Sequence, residues 1–261
     1  MTRPPVPPVL ADWTDLAVEL DRWAAEGRQA TFWWRDDDAV AWTPALQRLL
    51  ELAGPLALAL APIPGDVEPG LAEAIANHRA VSVLQHGWRH TNHAPAGEKK
   101  AELGTHRPLA QRLQELIAGR DRLKALFGGR ALPVLVPPWN RLGEDLLPAL
   151  PGIGISGLST DQPRASAEPV AGLRVVNIHV DLGPLQGSQG DDAERPVLGA
   201  MLRHLAGRRT GRVDAGEPTG LLTHHRVQDG LYDNFLRRFL AVVKKHTAAC
   251  FPPISDLFAP S

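Results

Sequence analysis

Residues 31–40 read TFWWRDDDAV, a strand-like run of β-branched and aromatic residues that ends in three adjacent aspartates. Neighbouring carboxylates repel one another unless a cation or a turn separates them. A solvated turn is one reading, because Asp is a common turn former and helix cap. The other reading is a strand whose end delivers carboxylates to a site.

Working outward, Asp12–Gly27 carries Trp13, Leu16, Leu20 and Trp23 at helical spacing. The strand Ala30–Trp34 follows and runs into the aspartates. Thr43 then caps a helix that has Pro44 at its first position and Gly54 as its stop. PLALALAP (55–62) reads as a second strand, Glu68–His78 as a crossover helix and AVSVLQH (80–86) as a third strand. A long amphipathic helix spans Arg107–Phe127 and stops at Gly128 and Gly129. LPVLVPP (132–138), GIGISGL (152–158), LRVVNIHV (173–180) and TGLLTHH (219–225) complete seven strands, before a helix over Leu231–Lys245.

Alternating strands and helices fit a β/α barrel or a doubly wound open sheet. The polar residues decide between them. Asp36–Asp38, His86, Pro137–Trp139, His179–Asp181 and His224–His225 each follow the C-terminal end of a strand. A barrel brings all such ends to one face, whereas an open sheet gathers only those at its switch point. The expectation is an α/β fold: a single-domain distorted (β/α) barrel of about seven units over residues 12–261, preceded by a Pro-rich arm, 1–11.

With 261 residues, a formal net charge of −1 and a pI near 6.8, the chain has no polyanion-binding character, so nucleic acid is excluded as the main partner. Cys250 is the lone cysteine, which rules out an intrachain disulfide framework. MTRPPVPPVLADW lacks the apolar core of a secretory signal, and no apolar run approaches the ~20 residues of a membrane span. The expected location is cytoplasmic. No feature specifies an oligomer.

HGWRH (86–90) places His86 and His90 four apart, a spacing that lets two imidazoles share a metal on a helical turn. Surface or capping roles are the plain alternative. A carboxylate from the first strand would complete a two-His, one-Asp set with positions left for water and substrate, a common hydrolytic design. One further aspartate could then take a proton from water as general base, and His224 or His225 could protonate a leaving nitrogen.

In order, Asp37-Asp38, His86-Gly-Trp-Arg-His90, Pro137-Pro138-Trp139 and Leu222-Thr-His224 resemble the motifs of the polysaccharide deacetylases, carbohydrate esterase family four. The resemblance spans residues 31–225 and rests on the ordered set. It implies a distorted barrel and a divalent metal cofactor, zinc being the expected ion. By residue, it implies Asp37 as catalytic base, Asp38, His86 and His90 as metal ligands, and His224 as catalytic acid. Pro138 and Trp139 would form the wall of a substrate groove. A slip by one residue would instead make Asp36 the base and Asp37 the ligand. Three features depart from the pattern: Ala39 stands where the family has Gly, no Arg precedes the prolines, and the fourth motif has no match between Leu150 and Gly172. Arg35 and Arg141 are the arginines placed to orient the base in its stead.

The function this implies is metal-dependent hydrolysis of an amide, with an N-acetylated sugar or glycan precursor as the substrate. The alternatives are a small non-sugar amide or imide as substrate, or a non-catalytic carbohydrate-binding barrel. Trp88 and Trp139 are the expected ligand contacts, since aromatic faces suit sugar rings, although core packing is the default for tryptophan. His179 and Asp181 are expected to line the same pocket. Their His-x-Asp spacing also matches a non-haem iron triad, but those sites sit on jelly rolls. His78, His93, His106, His204 and His246 read as surface or capping residues, and Lys99–Glu102 as a solvated helical start.

Overall fold

In the computed structural model, which describes residues 11–188, 193–227 and 230–259, the chain folds as a distorted β/α barrel. The Pro-rich arm expected at the N-terminus lies almost wholly outside the described residues. The strands are β1 (Ala30–Ala39), β2 (Leu58–Pro62), β3 (Val81–His86), β4 (Ala131–Val136), β5 (Gly157–Leu158), β6 (Arg174–Val175), β7 (Val180–Asp181) and β8 (Thr219–Thr223). They pair in parallel in the order β6-β5-β4-β3-β2-β1-β8-β7, and β9 (Ala249–Cys250) joins the start of β1. β6 and β7 are the two ends of one extended run: the Arg174, Val176 and Ile178 amides bond the carbonyls of Ser156, Leu158 and Thr160, and the His179 and Leu182 amides those of Gly220 and Leu222. Side chains reinforce this join: Asn177 bonds the Thr160 amide and the Gln162 carbonyl, and Glu217 accepts from the Arg164 and Asn177 amides.

Helices α1 (Trp13–Ala25), α2 (Pro44–Ala53), α3 (Gly70–Ala74), α4 (Leu109–Phe127), α5 (Glu194–Arg209) and α6 (Gly230–Val243) flank the sheet, followed by the short α7 (Ile254–Leu257). A capping box between Asp12 and Asp15 starts α1, and the Thr43 hydroxyl caps α2 ahead of Pro44. The helix expected over Glu68–His78 shrinks to α3, and the expected strands at 152–158 and 173–180 shrink to two-residue pairings. The first run is interrupted by glycines and a 3-10 turn at Pro151–Ile153, and the second changes partner midway, from the β5 side at Ile178 to β8 at His179. The sequence reading places no helix at α5, although Val197, Leu198, Met201 and Leu205 recur at helical spacing; its buried face carries Glu194, His204 and Arg208 among these apolar residues.

Strand alternation sorts the core into layers. Trp33, Ala59, Ala61, Leu84, Val134, Val136 and Leu222 fill the barrel interior, with Ile254 and Phe258 packed against them. Phe32, Trp34, Leu58, Leu60, Val83 and Leu221 face outward onto α1, α2, α5 and α6. Trp33 is fully buried and donates to the Asn177 carbonyl at 2.9 Å. A Cβ on Gly220 would meet Trp33 Nε1 at 2.4 Å, so glycine is what lets β8 pass this indole. Among the described residues no helix is long and apolar enough to cross a membrane.

Candidate metal centre and catalytic groups

All three aspartates belong to β1 itself rather than to a loop after it, and they point to three different places. Arg35 and Asp37 share the inward face with Trp33. Asp36 shares the outward face with Trp34, and there it meets β8: its carboxylate accepts from the Thr223 hydroxyl at 2.7 Å and the His225 amide at 3.0 Å, and pairs with His225 Nδ1. Strict alternation would send Asp38 outward too. Instead the β1–β2 register skips Asp38, pairing Asp37 with Ala61 and Ala39 with Pro62, and Asp38 adopts φ +68°. This β-bulge turns its carboxylate into the barrel mouth.

There Asp38 Oδ1 lies 3.2 Å from His86 Nε2 and 3.5 Å from His90 Nε2. The three ligand atoms form one of two candidate metal-holding groups among the described residues. His86 Nδ1 is 3.1 Å from the Val136 carbonyl, so that nitrogen carries the proton and Nε2 presents a lone pair. Asp38 Oδ1 is buried and accepts no hydrogen bond. Acceptors that face one another this closely repel unless a cation sits among them, and this donor set suits a divalent ion. Burial lowers the His86 pKa, but Asp37 and Asp38 outweigh it and raise it. Burial pushes the Asp38 carboxyl up, yet His86, His90 and His224 hold it well below the usual range. His90 is depressed by burial and by His86.

The loop that carries these histidines is built around a buried carboxylate. Glu102, read from sequence as part of a solvated helical start, is 1% exposed and accepts from the amides of Trp88, Arg89 and Thr91. Gly87 has φ +55°, and a Cβ there would meet Glu102 Oε2 at 2.0 Å and Pro138 at 2.6 Å. Pro138 is buried in this contact. Trp139 packs on His90 with ring centroids 4.2 Å apart, under the Lys100 ammonium. Trp88 is half-buried, with the Arg89 guanidinium 5.5 Å from its ring.

Of the two arginines named from the sequence, the one that reaches Asp37 is Arg35. Its Nε is 2.9 Å from Asp37 Oδ1, and Nη2 donates to Asp37 Oδ2 at 3.0 Å and to Asn140 Oδ1 at 2.8 Å. Nη1 is held by the Ser159 hydroxyl and carbonyl. Arg141 donates to the Lys100 carbonyl instead. Asp38, His90, Trp139 and Asn140 all have positive φ without being glycine, so the backbone of this site is strained.

His224 follows the inward-facing Leu222 by two residues and is half-buried, whereas His225 is 1% exposed on the outer side. The His224 amide donates to Tyr232 Oη at 2.9 Å. Burial raises the pKa of Asp36 and of the Tyr232 phenol.

His179 and Asp181 line a cavity of about 520 Å³ that is also bordered by Asn140, the partner of Arg35. Asp181 is exposed and accepts from the Gly183 amide. His179 stacks on His204 at 3.4 Å and faces Glu217 at 3.3 Å. His204, expected at the surface, is 5% exposed because α5 turns that face inward, and burial takes its pKa down to about 2. These three residues form the second candidate metal group, but the tautomer argues against it. The Gly220 amide donates to His179 Nδ1 at 3.0 Å, so the neutral ring carries its proton on Nε2 and offers Glu217 an N–H rather than a lone pair.

No family model and no curated protein matches this chain in sequence. Solved structures do match in fold. A Mycobacterium smegmatis protein assigned as a polysaccharide deacetylase superposes with a TM-score of 0.58 at 16% identity, over 89% of this chain and 90% of that one. Bc1960 peptidoglycan N-acetylglucosamine deacetylase gives 0.57 at 16%, over 92% and 97%. A family 4 acetyl xylan esterase from Clostridium thermocellum, solved with a cobalt ion, gives 0.52 at 11%, over 87% and 90%. The chain therefore has the fold of the polysaccharide deacetylases and family 4 carbohydrate esterases.

Proposed function

We propose that this chain is a divergent member of that family and a metal-dependent hydrolase of a carbon–nitrogen bond: an N-deacetylase of an N-acetylated sugar or glycan precursor. The observation that carries the reading is the meeting of Asp38, His86 and His90 in the barrel mouth, with Asp37 fixed on the same strand by Arg35. Asp38, His86 and His90 would hold the ion, with zinc as the expected metal. A divalent ion bound there supplies Lewis acidity, which makes water easier to deprotonate and offsets charge building on an acyl oxygen.

The chain's own groups do the rest. Asp37 accepts the proton of the attacking water. Arg35 holds that carboxylate in one orientation. His224 gives a proton to the nitrogen as the carbon–nitrogen bond breaks. Trp139, braced on His90, offers an aromatic face to a sugar ring, and Trp88 flanks the same loop.

The test is acetate release from N-acetylated mono- and oligosaccharides, with the protein stripped by a chelator and reloaded with zinc or cobalt. Metal-dependent release supports the reading. Sugar binding with no release under any metal would replace it with a non-catalytic carbohydrate-binding barrel.

A further inference from the structure

The family's fourth motif is missing from this chain, yet the residue that would act as the acid is held more firmly than a strand end requires. β8 finishes at Thr223, and the next two amides do not pair with another strand. The His224 N–H donates to Tyr232 Oη at 2.9 Å and the His225 N–H to Asp36 Oδ2 at 3.0 Å. Asp36 also accepts from the Thr223 hydroxyl at 2.7 Å, and its second oxygen pairs with His225 Nδ1. The Trp34 indole N–H bonds the same hydroxyl at 2.8 Å. Tyr232 and Asp36 are both fully buried, one on α6 and the other on β1. Consecutive peptide groups are thus fixed from two separate elements, with His224 between them.

We infer that Asp36, His225 and Tyr232 form a positioning clamp that sets the His224 imidazole opposite Asp37, so that the first aspartate of the triple orients the acid rather than serving as base or ligand. The inference rests on the deacetylase reading. None of the three residues touches substrate; each acts through the backbone of His224. Displacing a catalytic group by about 1 Å can cost on the order of 10²-fold in rate, so a clamp this close has kinetic leverage.

The experiment compares wild type with Tyr232→Phe and Asp36→Asn, both loaded with zinc. Two substrates differ only in leaving group: an N-acetylated chitooligosaccharide, whose amine must be protonated to depart, and 4-nitrophenyl acetate, whose phenolate leaves unaided. The expected result in each variant is a fall of roughly 10–100-fold in kcat on the amide. KM and turnover of the aryl ester should stay within about twofold, as expected when only proton delivery is lost. Equal losses on both substrates, or none on either, overturn the clamp.

A second readout is independent of turnover. The ring Cε1–H signal of His224, followed by NMR, should shift or split in Tyr232→Phe. If the wild type releases acetate from neither substrate, the functional reading fails, and this signal alone judges the clamp: an unchanged signal overturns it.

Discussion

Arg35 and Asp37 lie two residues apart on the inward face of β1, and the guanidinium meets both carboxylate oxygens, at 2.9 and 3.0 Å. Arg35 is fully buried and Asp37 nearly so. Arg35→Met should therefore strand a buried carboxylate and cost about 3–5 kcal/mol, read by urea denaturation. Arg35→Lys keeps the charge but loses the fork, so stability should be partly restored while kcat stays low. Full activity in Arg35→Lys would show that orientation of Asp37 is not limiting.

The two remaining aspartates separate by assay. Asp37→Asn should keep metal stoichiometry while kcat falls about 10²–10⁴-fold. Asp38→Asn should lose the metal on dialysis, because Asp38 is the carboxylate facing both imidazoles. Loss of metal from Asp37→Asn would instead favour the slipped register.

The adjacent histidines should part company in the opposite way. His224→Asn should leave the melting temperature within a few degrees and lower amide turnover by about 10²–10⁴-fold. His225→Asn removes a partner from the buried carboxylate of Asp36, so it should destabilise the fold by about 3–5 kcal/mol.

Gly87→Ala places a methyl group where Glu102 and Pro138 already sit and asks alanine to hold φ +55°. The αL conformation alone costs about 1–2 kcal/mol, before the collision. The loop must move, taking His86 and His90, the proposed metal ligands, with it. Zinc affinity, measured by competition with a chromophoric chelator, should drop by at least about tenfold; unchanged affinity would count against Glu102 as the organiser of this loop.

His179 and His204 are both held below the ordinary histidine range, chiefly by burial. Above neutral pH, folded and unfolded chains alike keep these rings uncharged. Below about pH 6.5 the unfolded chain takes up protons that the folded chain refuses, so stability falls with falling pH by up to about 1.4 kcal/mol per unit for each ring. His204→Gln should flatten that slope in denaturation series between about pH 7 and 5. An identical slope would mean that His204 does not carry it.

Much of this was legible in the sequence because β-strands alternate. Trp33 and Trp34 had to take opposite faces, and Leu222 and His224 to share one, whereas the continuation of β1 through Arg35 and the aspartates came only with the structure. What escaped was everything that breaks the period or acts across it. No local signal marks the bulge that turns Asp38 around, and none tells Asp36 that its partner is His225, 189 residues away. Glu102 looks like surface composition among lysines until three amides are seen pointing at it. The helix α5 escaped because its inward face is part polar, and the strands read over 152–158 and 173–180 were legible as runs although their regular pairing covers only two residues at a time.

The left-handed backbone at Asp38, His90, Trp139 and Asn140 has an evolutionary consequence. Glycine at any of these positions would relieve about 1–3 kcal/mol of strain. Selection for robustness alone therefore runs against selection for chemistry at these same residues. A lineage released from its substrate would be expected to drift here first, gaining heat tolerance as it lost the proposed metal site. Homologues bearing glycine at these positions would then mark the branches where the barrel was kept and the reaction abandoned.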